Sequence, residues 1–600
     1  MEPNKQRSNW MIVLVCVLLI GLLVVGSVLT GGEQGEKQLL ETVERQSGGG
    51  SASVEKNPSG SAHLRDNDEL YTVYDDSGVV TMYLTVSRGN DAENTNHSWS
   101  EINHYSVYDY DAMGVPRYQV NALLQVGDEN GPLEGELGYG EEAPNATVQV
   151  RGQTSSKYNQ KNYKIKLKKD KGSWRGQRTI ALNKHQEDGL RFRNKLAYDL
   201  MRGIPQMMSL RTQFVHLYVR DLTGGVDNGF EDYGLYTQVE QLNKTALQAH
   251  GLDSGGHLYK VEYFEFFRYE DIIKTMDDPD YDATAFEDTL ETKGDHDHRK
   301  LIKMLNALND TSLPIDEVLD VYFDRENIQY WLAFHILIGN IDTTSRNLYL
   351  YSPRNLKTWY LLSWDNDASF SRLENKLLDY RDADSWEIGI SNYWNNQLFK
   401  RCLQSDTFRA QLDGVINQLR AYLNQDRIGS LVAHYRSIVE SYLWRTPDIV
   451  YARLTPEQYD QVAGNLPQQI EENYQLYLES LKRPMPFYIG APEIKNGMLR
   501  FVWDASYDFE AEDIRYTVEV SDNYDFSTIL FQKDNLVLTE TETAVPPPGQ
   551  YFVRVRATNA SGYTQDAFDY YSAEGGKRYG MRCFYVTRDG RIVEDTYAEN

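Results

Sequence analysis

Residues 324–370 constrain the fold more than any other segment of this 600-residue chain. The first part, DRENIQYWLAFHILIGN, has apolar residues at helical spacing, and Asp324 is a candidate N-cap. The runs NLYLYS and TWYLLSW follow, separated by PRNLK, and this pattern predicts a β-hairpin. A tight hairpin folds the chain back on itself, so polar residues on its two flanks must lie at the same end. His335 falls on the apolar stripe of the helix, which predicts a satisfied core histidine rather than a ligand.

The polar flanks of this hairpin carry Asp342 and Asn347 on one side and Asp365 and Asp367 on the other. Phosphoryl transfer needs such a set, because one carboxylate orients or deprotonates the attacking hydroxyl while a carboxylate and an amide oxygen hold magnesium on the phosphates. The D-x-x-x-x-N spacing is that of the protein-kinase catalytic loop. Asp and Asn are also common turn residues. On these residues alone, a catalytic and a structural interpretation are equally open.

A second segment, VQVRGQTSSKYNQKNYKIKLKK (residues 148–169), predicts two strands joined by a turn of small and polar residues. Lys164 and Lys166 fall on one strand face, and Tyr163, Ile165 and Leu167 fall on the other. A lysine that projects from a strand behind a small-residue loop can clamp phosphates, although a solvated basic strand face is an equally ordinary interpretation. The segment stands out because the chain has 61 Lys and Arg against 88 Asp and Glu, a net charge of −27.

The strong negative charge disfavours nucleic acid as the main partner, because an acidic surface repels polyanions. The three cysteines have no spacing typical of metal ligands. A disulfide framework and a structural zinc site are therefore not expected.

The N-terminal region contains a run of 21 residues without charge, Trp10 to Thr30. This is long enough to cross a bilayer, which takes about 20 residues, and it predicts a transmembrane helix or signal anchor. Lys5 and Arg7 precede the run, so residues 1–9 are expected in the cytoplasm and the body outside it. A cleaved signal peptide is the alternative. The predicted location is thus the cell membrane, with a secreted or spore-coat protein as the alternative.

The rest of the chain divides at changes in composition. Residues 31–66 are polar and are expected to form a flexible linker. Short strands are predicted from residue 67, with a β-rich part at 67–145 inside a mixed body that ends near residue 482. Prolines mark the next boundary, and alternating strands over 487–571 predict a sandwich that resembles a fibronectin type III domain. Residues 572–600 form a tail without an assigned structure.

Several separated motifs resemble, in the same order, those of the CotH family of spore-coat and secretory-pathway kinases. They are RGQTSSKYNQKNYKIKL, DGLRFRNKLAYDLM, YGLYTQVEQ, GHLYKVE, GNIDTTSRNLYLY and LLSWDNDASF, and they span about residues 73–482. The resemblance implies an α+β fold with an atypical protein-kinase-like core, to which the β-rich segment and the sandwich are added. It also implies transfer of phosphate from ATP, with Mg²⁺ or Mn²⁺, to serine or threonine of a coat or surface protein.

The resemblance also assigns roles to particular residues. Asp342 would be the catalytic aspartate, Asn347 and Asp365 would be metal ligands, and Asp367 would be a supporting or alternative ligand. Arg151 and Gly152 would open the nucleotide loop. The family usually shows two adjacent lysines before an aromatic residue, whereas here Asn162 takes the second place, so the phosphate-contacting lysine stays open. The remaining nucleotide-site candidates are Lys161, Lys164, Lys166 and Glu240, the last at the end of a strand on which adenine could lie.

Two alternatives remain at this point. The chain could be a catalytically inactive scaffold of a coat or cell surface, or it could transfer AMP rather than phosphate on a kinase-like fold.

Overall fold

A computed structural model describes residues 63–378, 388–573 and 576–594. These residues form a barrel lobe, a helical lobe and a C-terminal sandwich, each with its own set of buried apolar residues. The fold class is mixed α+β, in agreement with that part of the prediction.

The barrel lobe is a mixed sheet that closes on itself. Its strand order is β1-β7-β8-β6-β5-β4-β2-β3, and β1 also pairs with β2. Closure removes the free edges that an open sheet would expose. The strands are β1 (Val79–Ser87), β2 (Val120–Asp128), β3 (Gly131–Pro132), β4 (Ala146–Arg151), β5 (Asn162–Leu167), β6 (Thr179–Asn183), β7 (Thr212–Asp221) and β8 (Glu231–Glu240).

Side chains alternate across the barrel wall as the sequence predicts. Tyr163, Ile165 and Leu167 of β5 are buried inside, whereas Lys164 and Lys166 point to the other face. The strands predicted over 67–145 belong to this same barrel, because β1 lies parallel to β7 and antiparallel to β2. Two short helices between β1 and β2, α1 (Trp99–His104) and α2 (Val107–Met113), lie against it.

The helical lobe surrounds a small sheet with the order β10-β9-β11-β12. Its strands are β9 (His257–Val261), β10 (Leu290–Thr292), β11 (Leu348–Ser352) and β12 (Tyr360–Ser363). The helices after the first six barrel strands are α3 (Arg193–Met201), α4 (Lys244–Ala249), α5 (Ala283–Thr289), α6 (Arg299–Asn309), α7 (Ile315–Tyr322), α8 (Arg325–Leu337), α9 (Arg372–Leu377), α10 (Gln397–Gln404), α11 (Asp406–Tyr422), α12 (Gln425–Leu443) and α13 (Pro456–Ser480).

The helix and hairpin predicted over 324–370 are confirmed. The side chain of Asp324 caps α8 by accepting a hydrogen bond from the backbone N–H of Asn327. Strands β11 and β12 pair in antiparallel register, with Leu348 opposite Ser363. His335 is fully buried and bonded to the Ser363 hydroxyl at 3.0 Å, and burial lowers its pKa to about 3. It is the neutral core histidine that the sequence predicts.

The C-terminal part consists of two facing sheets. One has the order β13-β14-β17 and the other β16-β15-β18-β22-β23, with β19 beside β18 and a separate hairpin of β20 and β21. The strands are β13 (Glu493–Lys495), β14 (Met498–Val502), β15 (Arg515–Ser521), β16 (Phe531–Leu536), β17 (Glu540–Ala544), β18 (Gly549–Thr558), β19 (Thr564–Asp566), β20 (Tyr570–Ala573), β21 (Gly576–Tyr579), β22 (Met581–Val586) and β23 (Ile592–Glu594).

The sandwich packs against the helical lobe through aromatic side chains. Trp394 of the lobe lies 5.2 Å from Tyr507 and 5.6 Å from Phe509, measured between ring centroids. Phe568 is buried in the core of the helical lobe. The segment after residue 571, for which the sequence predicts no structure, supplies β22, which pairs with β18 in the larger sheet.

The predicted fold class included an N-terminal transmembrane helix, and this part of the prediction is corrected. Residues 10–30, where it was placed, lie outside the described ranges. Across residues 63–378, 388–573 and 576–594, no helix combines the length and apolar character that crossing a membrane requires.

Candidate functional site

Three carboxylates, Asp342, Asp365 and Asp367, come from the loops at one end of the β11–β12 hairpin; we call them the acidic cluster. The backbone N–H of Trp364 donates to the carbonyl of Asn347 at 3.1 Å and joins the two loops. The Asn347 side-chain amide donates to Asp342 Oδ2 at 2.8 Å. The structure therefore brings the four polar flanking residues to the same end of the hairpin, as its geometry predicts.

The backbone at the cluster adopts an unusual conformation. Asn347 has a φ of 58° and Asp365 a φ of 52°, both in the left-handed region. This conformation costs most residues about 1 kcal/mol, and Asn and Asp tolerate it best because their short side chains form local hydrogen bonds. Strained backbone of this kind concentrates at functional sites. The two positions are those at which the chain enters and leaves the hairpin.

The acidic cluster carries more negative charge than its neighbours neutralise. Burial raises the pKa of Asp365 to about 7, and repulsion from Asp367 and Asp342 adds to the effect, against attraction from His185 and Arg151. The pKa of the half-buried Asp342 is also raised, chiefly by burial, although Arg346 lies within 2.9 Å and opposes the rise. A bound cation would relieve this repulsion.

Two residues that sequence reasoning missed, His185 and Asn194, hold the loop of Asp365 and Asp367. His185 Nδ1 lies 3.3 Å from Asp367 Oδ2, and its Nε2 lies 3.4 Å from the Asn194 amide nitrogen. Asn194 Oδ1 in turn accepts the backbone N–H of Asn366 at 3.0 Å. Both side chains are buried, so they fix the loop rather than exchange with water. The sequence signal was the motif DGLRFRNKLAYDLM, which contains Asn194 and belongs to the family resemblance, although no site role was predicted for any of its residues.

Arg151 and Lys164 form a cationic face on the outer side of the barrel strands β4 and β5. Arg151 donates to the side chain of Asn183, and its guanidinium carbon lies 5.9 Å from the Trp364 ring. Burial lowers the pKa of Lys164, and repulsion from Arg151, Arg117 and Lys293 lowers it further. The cations of this face thus repel one another, just as the carboxylates of the adjoining acidic cluster do, although Arg346 lies beside Asp342 and His185 beside Asp367.

Burial also lowers the pKa of Arg151, and attraction to Asp365 opposes that shift. The cationic face and the acidic cluster therefore interact electrostatically. An anion that carries a divalent cation, such as a nucleotide phosphate with magnesium, would complement both at once.

The other residues predicted for the nucleotide loop have separate surroundings. Gly152 has a φ of 95°, and a Cβ there would come within 2.0 Å of Ser155 Oγ, so the turn requires glycine. The Lys161 ammonium is buried and donates to the Ser156 carbonyl at 2.6 Å. Lys166 is exposed. Lys164 and Lys166 share one strand face, and of the two Lys164 lies nearer to Arg151, whose charge lowers its pKa.

Glu240 lies at the end of β8 and is buried in an ionic network. Its carboxylate accepts from Arg211 at 2.6 Å and is 3.0 Å from His250 Nε2. Strand β8 pairs with β6 on one side and β7 on the other, so its backbone groups are used within the barrel. Neither side of β8 is therefore a free strand edge on which adenine could lie, because β6 and β7 pair with it.

Magnesium prefers oxygen ligands and usually takes one or two carboxylates together with phosphate and water. The carboxylates of Asp365 and Asp367 and the amide oxygen of Asn347 fit this chemistry. Within the described ranges, no three or more His, Cys, Asp and Glu side chains are grouped so as to hold a metal by themselves. The residues fit a metal whose remaining ligands come from a bound nucleotide.

A β-barrel lobe, a helical lobe, and adjoining acidic and cationic groups define a kinase-like phosphotransferase by class. The family model described as "CotH kinase protein" matches residues 148–477, more than half of the chain, and the chain belongs to this family. It is also similar to the inner spore coat protein H of Bacillus subtilis (strain 168), with 23% identity over 265 residues. That match covers 44% of this chain and 67% of the coat protein.

Proposed function

We propose that the chain is a CotH-type protein kinase that transfers the γ-phosphate of ATP to serine or threonine of a coat or surface protein. The observation that carries the proposal is the pairing of an under-neutralised acidic cluster with a cationic strand face. Together they complement the magnesium and the phosphates of a bound nucleotide.

In this proposal Asp342 receives the proton of the acceptor hydroxyl. The hydroxyl oxygen forms a bond to the γ-phosphorus, the bond from that phosphorus to the bridging oxygen breaks, and ADP leaves. The Asn347 amide orients the carboxylate by donating to Asp342 Oδ2 at 2.8 Å. The raised pKa of Asp342, which comes chiefly from burial, favours its acceptance of a proton.

Asn347 and Asp365 would hold the divalent cation, and Asp367 would support them or act as a further ligand. When bound, Mg²⁺ or Mn²⁺ neutralises negative charge on the transferring phosphates. The loop opened by Arg151 and Gly152 would cover the phosphates. Lys164 is our candidate for the phosphate-contacting lysine, because the Lys161 ammonium already donates to the Ser156 carbonyl and Lys166 is exposed.

The test uses the full chain, γ-labelled ATP, Mg²⁺ or Mn²⁺, and a generic acceptor protein. We expect label on serine or threonine, and a loss of about 10²- to 10⁴-fold in the Asp342→Asn variant, the range for a lost proton acceptor. Lys164→Ala should weaken ATP binding, with Lys166→Ala on the same strand face as the matched control. An Asp342→Asn protein that keeps the wild-type transfer rate would exclude the proposed role.

Two other results would redirect the proposal. Label that is transferred from the α-phosphate but not from the γ-phosphate would show AMP transfer. If ATP with Mg²⁺ or Mn²⁺ neither raises the melting temperature nor yields label, the chain acts as a scaffold. The name of the Bacillus relative, an inner spore coat protein, supports a location in the spore coat for either activity.

We also infer that the C-terminal sandwich is of the fibronectin type III kind. The strand orders β13-β14-β17 and β16-β15-β18-β22, with Trp503 and Tyr516 buried between the sheets, support this inference. Such a domain would act as a spacer or a binding module, and deletion of residues 487–600 tests whether it recruits the acceptor protein.

A further inference from the structure

The loop that carries Asp342 is held by residues 391–396 of the helical lobe, which we call the link segment. Two side-chain amides of this segment donate to backbone carbonyls of the loop, one on each side of Asp342. Because both carbonyls are within two residues of Asp342, the bonds fix the backbone from which its carboxylate extends. The bonds join Asn392 Nδ2 to the Ile341 carbonyl oxygen at 3.1 Å and Asn396 Nδ2 to the Thr344 carbonyl oxygen at 2.6 Å.

Tyr393 lies between these two amides in the link segment and makes a third connection to the loop. Its hydroxyl donates to the Asn340 carbonyl at 3.3 Å and lies 3.2 Å from the Thr343 hydroxyl oxygen. The side chains of Tyr393 and Thr343 are both buried, so water does not compete for these bonds. The link segment thus contacts the loop before and after Asp342.

The same segment contacts the sandwich through Trp394. Its ring lies 5.2 Å from the Tyr507 ring and 5.6 Å from the Phe509 ring, and those two rings lie 5.2 Å apart, all measured between centroids. Tyr507 and Phe509 follow strand β14 of the sandwich, but they pack against the core of the helical lobe. One short segment therefore connects the loop of Asp342 with the sandwich.

We propose that the sandwich positions the loop of Asp342, because Tyr507 and Phe509 hold Trp394 and the link segment holds the loop. This inference rests on the proposed function, in which Asp342 is the proton acceptor. A displacement of about 1 Å at a reacting group can lower a rate by about 10²-fold. The sandwich is thus more than a spacer or a binding module, since the rate of transfer depends on its contact with Trp394.

The backbone of the link segment belongs to no sheet and no long helix. It forms one turn of 3₁₀ helix (Ser391–Tyr393), and the N–H groups of Trp394 and Asn396 donate to carbonyls of that same turn. The N–H groups of Ile390 and Gln397, at its two flanks, are bonded to other parts of the helical lobe. The position of the middle of the segment therefore depends on side-chain contacts, and Trp394 supplies the contact with the sandwich.

Both sandwich rings that contact Trp394 are themselves held by a second contact with the rest of the chain. The Met485 N–H donates to the Tyr507 carbonyl at 2.7 Å. The guanidinium carbon of Arg409, in α11, lies 4.8 Å from the Phe509 ring centroid, a favourable cation–π distance. The two rings therefore have fixed positions, and their removal would free the Trp394 ring on that side.

The test compares wild type with two variants of the full chain. One combines Tyr507→Ala with Phe509→Ala and removes the sandwich side of the contact. The other, Asn396→Ser, removes the amide that donates to the loop. Asn396 also caps α10, and serine is an equally good N-cap, so this variant keeps the helix start. Point variants are preferable to deletion of residues 487–600, because the deletion would also remove any surface that binds the acceptor protein.

Hydrogen exchange of the amides in residues 339–347 is the first measurement, and it needs no enzymatic activity. We expect faster exchange of this loop in both variants and unchanged exchange in α8. The second measurement is phosphate transfer at a temperature well below the melting point of each variant. We expect kcat to fall by about 10- to 100-fold, while the KM for ATP stays within about twofold because the cationic face on β4 and β5 is unchanged.

Two further variants serve as controls. Tyr507→Phe keeps the ring that contacts Trp394 and should behave as wild type does. Tyr524→Ala removes a sandwich ring that contacts Phe552 and Tyr571 instead, so it should change neither the loop exchange nor kcat.

A lower melting temperature with unchanged loop exchange and unchanged kcat would overturn the proposal, because the contact would then serve stability alone. If wild type transfers no label from ATP, the proposed function fails, and hydrogen exchange still decides this inference. Faster loop exchange in the variant without the Tyr507 and Phe509 rings would support positioning by the sandwich, and unchanged exchange would overturn it.

Discussion

Two groups of charged side chains in this protein differ in how their carboxylates are neutralised. In one group the carboxylates repel one another, and in the other they are paired with cations. One is the acidic cluster of Asp342, Asp365 and Asp367. The other, which we call the hinge network, consists of Asp66, Arg211, Glu240 and His250 and lies where β8 leaves the barrel lobe. There His250 bridges two carboxylates, with Nδ1 at 2.6 Å from Asp66 and Nε2 at 3.0 Å from Glu240.

The pKa shifts of the two groups have opposite directions. In the hinge network, burial alone would raise the pKa of Glu240, but Arg211 and His250 outweigh it and lower that pKa well below its usual range. In the acidic cluster, burial and repulsion together raise the pKa of Asp365 to about 7. A network that favours its own charges stabilises the fold, whereas one that disfavours them costs stability, and groups of the second kind are concentrated at functional sites.

Asp365→Asn gives the largest expected effect on activity, and it also separates activity from stability. If the proposed function is right, the loss of a cation ligand should lower phosphate transfer by at least about 10³-fold, equivalent to roughly 4 kcal/mol. The melting temperature should stay the same or rise, since the substitution removes a charge that Asp367 and Asp342 repel. Transfer assays and thermal melts of the same preparation measure both quantities.

A lower melting temperature together with lost activity would contradict this prediction, because Asp365 would then be a structural residue. Asp253→Asn is a suitable comparison. That carboxylate is held by the backbone N–H and guanidinium of Arg354, which lower its pKa, so its loss should destabilise without affecting transfer.

Glu240→Gln should have the reverse outcome, with stability lost before any chemistry is affected. The substitution leaves Arg211 and His250 with one carboxylate partner fewer in a buried place. Removing one partner of a buried ion pair costs about 3–5 kcal/mol, and we place this variant near the lower end because Asp66 still contacts His250. Chemical denaturation measures the loss, and an unchanged midpoint would show that the network is not needed for folding.

The hinge network also predicts a pH dependence. Burial would lower the pKa of His250, but Asp66 and Glu240 outweigh it and raise that pKa to about 10 from its usual 6.5. The stabilisation is therefore fully present below pH 6.5 and is lost as the pH rises through about 10. Between pH 7 and 9 the loss should be roughly 2.5 kcal/mol.

His250→Gln isolates this effect from other groups that titrate at high pH. The free energy of unfolding of wild type should fall more steeply between pH 7 and 9 than that of the variant. Equal slopes would mean that His250 is neutral in the folded protein.

Local pattern predicted those parts of the fold whose structure depends on nearby residues. The helix capped by Asp324, the hairpin after it and the alternation of Lys164 with Ile165 all follow from spacing within a few residues. The convergence of Asp342 with Asp365 could also be predicted, because a tight hairpin leaves little choice about where its two flanks meet.

Contacts between distant residues could not be predicted in this way. His185 meets Asp367 across 182 positions, and His250 meets Asp66 across 184. The spacing of residues within a segment does not indicate which distant residue that segment will contact. The same limit explains the place of β1, whose parallel partner β7 begins more than 120 residues later and completes the barrel. The free strand edge on which adenine could lie is also absent along β8, because β6 and β7 pair with its two sides.

His185→Gln gives the smallest expected effect and tests how the acidic cluster is held. His185 contacts Asp367, and Asn194 links it to the backbone of Asn366. Supporting residues of metal ligands change metal affinity by about 10- to 100-fold when lost. The Gln side chain can still donate one hydrogen bond, so we expect roughly a tenfold higher Mn²⁺ requirement for transfer, with the rate at saturating Mn²⁺ nearly restored. His185→Ala should require still more Mn²⁺ and should recover less of the rate at saturating Mn²⁺. If instead the rate stays low at saturating Mn²⁺ in His185→Gln, the histidine acts on the chemistry itself and the loop does not depend on it for position.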